Sequence, residues 1–204
     1  MIGRSLLTTV GATVLAGAIV TGIVGFFEYA DLPGFMDKMP GAGRAKNSVA
    51  VLVAGIAAHE MYVDPATIDL DVQKHVWMDA ELTGTTTPET IESNVDLALT
   101  SAKFTARKNE QGMLEGKVAK SEYNWRVKQT GPSTYGIGRF FTKWDTKLDL
   151  VVKDGTITGT YHRPPFRFNW DIEGTYDKDG TVKIEIDAPL TLGMTLEGTI
   201  APGQ

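Results

Sequence analysis

The chain contains no cysteine. That excludes disulfide frameworks, thiol nucleophiles and thiolate metal sites, and it leaves the side of a membrane undecided. Histidine is nearly as scarce, with three in 204 residues. His59-Glu60 opens like a zinc-protease helix, but position 63 is Val where that motif needs its second histidine. The spacing of His59, His75 and His162 requires no metal, so no metal site is expected. No serine stands in a G-x-S-x-G elbow, and Gly136-Ile137-Gly138 is a lone GxG inside a strand-like run. No catalytic residue and no cofactor is expected, and the chain reads as a non-enzyme.

Charge is missing from the front of the chain. Residues 5–27 carry no charged side chain. A helix of that length reaches about 34 Å, enough for a bilayer core of roughly 30 Å. The run is longer than a signal-peptide core and ends in Phe26, Phe27 and Tyr29, not in a small-residue cleavage site. It reads as an uncleaved signal-anchor, a single transmembrane helix. On a helical wheel Gly11, Ala18, Gly22 and Gly25 share one narrow stripe, which lets another transmembrane helix approach closely. Arg4 abuts the run, whereas the next basic residue is Lys38. That favours an inside N-terminus, with the rest on the periplasmic or extracellular side of the cell (inner) membrane.

Residues 31–46 hold two prolines and three glycines and read as a linker. The apolar run 48–58 is too short to span. It suits a buried helix capped by Asn47 or Ser48, a buried strand on Val49, Val51 and Val53, or an interfacial segment. A short helix on the domain or on the membrane surface is the favoured reading. The expected organisation is 1–30 anchor, 31–66 linker with short apolar helix, and 67–204 antiparallel β domain.

Beyond residue 67 the pattern has period two. Phe166, Phe168, Trp170 and Ile172 alternate with Arg167, Asn169, Asp171 and Glu173. Val182, Ile184 and Ile186 alternate with Lys183 and Glu185. Asp154-Gly155 and Asp179-Gly180 are hairpin signals between such runs. The pattern predicts a mainly β fold of eight to ten strands, closed as an antiparallel β-barrel or folded as a β-sandwich. It resembles lipocalin-type and streptavidin-type barrels in a general way, without their signatures and with no site carried over.

Net charge is −5 but uneven. Residues 47–102 hold one Lys and nine acids, while residues 103–147 hold ten Lys/Arg and four acids. Pairing of these blocks within the fold is expected; an external basic face would suit anionic lipid or an acidic protein. Arg163, Pro164, Pro165, Phe166 and Arg167 form a pre-ordered basic corner, a rigid loop or a contact for a partner or lipid headgroups. The anchor and the acidic total argue against nucleic acid. The expected function is an accessory or structural subunit packed by protein–protein interaction against other transmembrane helices of a larger membrane complex, such as a respiratory or photosynthetic one. The alternative is a tethered β-barrel that binds a lipid or other apolar small molecule.

Overall fold

The computed structural model describes residues 42–74, 79–96, 101–119, 125–139, 146–163, 168–187 and 193–203. The expected anchor, with Gly11, Ala18, Gly22 and Gly25, lies outside the described residues. Among the described residues no helix is long and apolar enough to cross a membrane. The chain divides into two units, Met1–Gly43 and Arg44–Gln204, and the second holds the fold.

Among the described residues one helix, α1 (Ala42–Met61), precedes twelve strands. The first six are β1 (Ala66–Lys74), β2 (Ala80–Thr86), β3 (Thr90–Val95), β4 (Ala102–Lys108), β5 (Leu114–Ala119) and β6 (Trp125–Gly131). The second six are β7 (Thr134–Arg139), β8 (Thr146–Lys153), β9 (Thr156–Arg163), β10 (Phe168–Tyr176), β11 (Thr181–Asp187) and β12 (Met194–Pro202). Each pairs antiparallel with its chain neighbours, and β12 returns to β1 from Ala66↔Pro202 to Lys74↔Met194. The sheet is therefore a closed barrel and not a sandwich. Twelve strands exceed the expected eight to ten; in β2 (AELTGTT) and β3 (TIESNV) glycine, serine or threonine blurs the alternation.

Period two decides which face is dry. In β11, Val182, Ile184 and Ile186 are buried while Lys183, Glu185 and Asp187 are exposed. The same holds on β1 for Ile68, Leu70 and Val72 against Asp69 and Asp71. A wall with carboxylates and lysines facing out is the reverse of a lipid-facing barrel wall. Closure needs sharp coiling, and glycine supplies it. A Cβ on Gly84, Gly116, Gly159 or Gly198 would collide with a carbonyl oxygen of the adjoining strand. The strands approach this closely only where the side chain is missing. Both predicted hairpins are present, with Gly155 at φ 80 and Gly180 at φ 88.

The interior holds the main departure from expectation. Val49, Val51, Leu52, Val53 and Ile56 have no exposed surface, and neither have Ala50, Ala54, Ala57 and Ala58 on the remaining sides of α1. A helix dry on every side is enclosed. Its contacts come from around the wall: Gly55 lies against Ile91 and Ser93 of β3 and Phe104 of β4, and Glu60 meets Tyr135 of β7. Ser93 Oγ donates to the Val51 carbonyl at 2.6 Å. The helix therefore runs through the lumen instead of lying on the domain or on a membrane surface. Size explains this. Eight strands already enclose enough room for side chains, and the bore widens with strand number. Twelve leave a bore that a helix about 10 Å across can fill. Alanine and glycine on α1 keep it narrow enough to fit.

Candidate functional site

With α1 in the lumen, two polar clusters of the described residues stand at one end of the barrel and on its outer wall. At one end three side chains tie the end of α1 to the barrel. His59 Nδ1 donates to the Thr87 carbonyl at 3.1 Å, in the β2–β3 turn. The Tyr135 hydroxyl donates to Glu60 Oε1 at 3.1 Å, and the Tyr62 hydroxyl donates to the Ile200 carbonyl at 2.9 Å. These anchor points lie on well-separated strands of the circumference. Burial, and next the Glu60 charge, push the Tyr135 phenol far above its ordinary value, so it stays a donor. Burial, and next the Lys108 charge, hold the His59 imidazole below its ordinary 6.5.

A histidine with a lowered folded pKa contributes stability that is complete above its unfolded value and is lost as pH falls through the folded one. Thermal melts taken between about pH 8 and pH 5 should therefore show a decline that starts near 6.5. His59→Gln should flatten that part of the profile. Glu115, Asp149 and Asp179 have carboxyls held below their ordinary range, so their losses fall in a separate, more acid window. An unchanged decline in His59→Gln would assign it to another group.

A second cluster lies on the outside of β7–β10. Lys147, His162 and Asn169 are cross-strand neighbours. Asp149 takes Lys147 Nζ at 2.8 Å and the Thr134 hydroxyl at 3.0 Å, and His162 Nε2 lies 3.4 Å away. His162 Nδ1 meets Asn169 Oδ1 at 2.9 Å. Burial pushes the Asp149 carboxyl up, but the bonds from Lys147 and Thr134 outweigh it and hold it below its ordinary range. The Thr134 hydroxyl lies within hydrogen-bond distance of both Asp149 Oδ1 and the Pro132 carbonyl at 3.1 Å. No local sequence signal announces this cluster, because its members meet only through strand register.

The sequence-predicted contact corner is divided. Arg163 ends β9, and Pro164, Pro165, Phe166 and Arg167 lie outside the described residues. Among the described residues no group of three or more metal-ligating acids and histidines forms. His59 sits at the end of α1 and His162 on the outer wall; His75 lies outside the described residues.

The charge blocks are arranged by topology. A meander that closes on itself joins the acidic front to the acidic tail through β1 and β12. Glu81, Asp71 and Glu197 stand in one register row across β2, β1 and β12. The basic middle, with Lys103, Lys117, Arg126 and Lys128, forms another part of the wall on β4–β6. Among the described residues the expected pairing of blocks occurs at their borders, as in Lys103–Glu92 at 2.9 Å and Lys147–Asp149 at 2.8 Å. Fold and surface together define a closed antiparallel barrel plugged by its own helix, with a polar outer wall of segregated charge. No protein family, curated protein or solved structure matches this chain.

Proposed function

We propose that the protein is a membrane-anchored accessory or structural subunit. Its apolar segment 5–27 spans the cell (inner) membrane and packs on other transmembrane helices through Gly11, Ala18, Gly22 and Gly25. Its barrel stands on the periplasmic or extracellular side against the surface of a larger complex. One observation carries this reading over the alternative: the lumen is filled by α1, with Leu52 and Ile56 fully buried. A lipid or other apolar molecule in that space would have to displace the helix. The outer wall, polar and strongly charged, is what remains for partners.

The test is co-purification from native membranes in mild detergent. Ala18→Leu with Gly22→Leu should remove the partner proteins that come with the wild-type chain, while the protein stays in the membrane fraction. Recovery of every partner by the double variant would overturn the packing role. A hydrophobic ligand retained in native mass spectrometry, with no partner recovered, would favour the lipid-binding reading.

A further inference from the structure

The outer wall keeps like charges together on two of its sides. Lys117 on β5 stands directly across from Arg126 on β6. Both border an open groove of about 760 Å³ on the outside of β3–β6, to which Arg107 also contributes. The groove also holds two carboxylates: Glu92, bonded to Lys103, and Glu115, bonded to Lys128 and within the field of Arg126. On β10 and β11 the sign is reversed. Asp171 faces Asp187 and Glu173 faces Glu185, around a groove of about 320 Å³. The cation beside them, Lys183, is shared between Glu185 and Glu197.

Like charges directly opposed on neighbouring strands weaken a sheet. Besides the Glu81–Asp71–Glu197 row, the described residues carry these two sets, of opposite sign, and each borders a groove. Complementary potentials of this kind steer and orient association.

We propose that the basic groove of β4–β6 docks the acidic wall of β10–β11 on a second copy of this chain, with the barrels side by side. The contact is heterologous, so a pair retains one unused acidic wall on one copy and one unused basic groove on the other, and association continues until a ring closes. It depends on the barrel wall alone and stands apart from the anchor reading.

The experiment measures the mass of the full chain in mild detergent by light scattering, at an ionic strength of about 0.02 M and again at about 0.5 M. The wild type should form multiples of one chain at low salt and single chains at high salt. Lys117→Glu with Arg126→Glu should remain single at low salt, and so should Glu173→Lys with Glu185→Lys. Mixing the two variants should restore association, because each then offers the sign that the other lacks. Lys117→Gln, a milder change at an outward position that relieves its repulsion with Arg126, should weaken assembly without lowering the melting temperature. A wild-type chain that stays single at low salt would overturn the proposal. So would association that survives both charge reversals, since the contact would then lie elsewhere. Assembly seen only with a second acidic protein present would replace the second copy with that partner.

Discussion

Gly55→Leu should strongly destabilise the barrel closed around its helix. A Cβ at this position already lies 2.8 Å from Ile91 Cγ2 and 2.9 Å from Ser93 Oγ. Leucine adds three more carbons beyond that atom, with Phe104 as the third neighbour. Ile91 and Phe104 are fully or nearly fully buried, so neither can swing out into solvent without leaving the core. Overpacking of this kind costs about 1–3 kcal/mol or more. Displacing Ser93 also breaks its bond to the Val51 carbonyl, worth about another 1 kcal/mol. The sum is a large share of a typical net stability of about 5–15 kcal/mol. Urea unfolding followed by tryptophan fluorescence should show a midpoint far below the wild type. Gly55→Ala should do less harm, because alanine regains about 1 kcal/mol of helix propensity while still crowding Ile91. A Gly55→Leu chain as stable as the wild type would mean that α1 is not held against β3.

Removing α1 should have the larger effect. Val49, Val51, Leu52, Val53 and Ile56 are all fully buried. At about 2 kcal/mol for each such side chain, their burial contributes on the order of 10 kcal/mol. That matches the whole net stability of an ordinary domain. A chain beginning at Tyr62 should therefore lack the near-ultraviolet dichroism of packed aromatics and should aggregate. A separate peptide of residues 42–61 should restore the signal when added during refolding. A helix-free chain that folds on its own would show that the lumen can stand empty, and the lipid-binding reading would gain the ground that the accessory reading loses.

Much of the wall is legible in the order of residues alone. Alternation in Val182–Ile186 and Phe168–Ile172 reports one wet face and one dry face, and the Asp-Gly turns set the hairpins between them. Closure is not legible, because no local pattern states that β12 finds β1 across nearly the whole domain. Run 48–58 is harder still. Apolar on every face, it gives no direction to a hydrophobic stripe, so a helix beside the sheet and a helix within it read alike. What separates them is the bore of the wall, which depends on strand number. The charge blocks are visible as blocks, but only the closed order brings front and tail together and keeps the basic middle on its own stretch of wall. The Thr134–Asp149–His162 cluster depends on register alone and leaves no trace in spacing.

The seam between the first and last strands bears on how the protein is made. Ala66 meets Pro202, so the pair that seals the cylinder is also the most distant in sequence. A ribosome delivers the plug first and the closing strand last. Until β12 emerges, β1 exposes an unpaired edge and the apolar core stands open along one side. Such a chain needs shelter during synthesis, and its slowest folding step should be that final stitch.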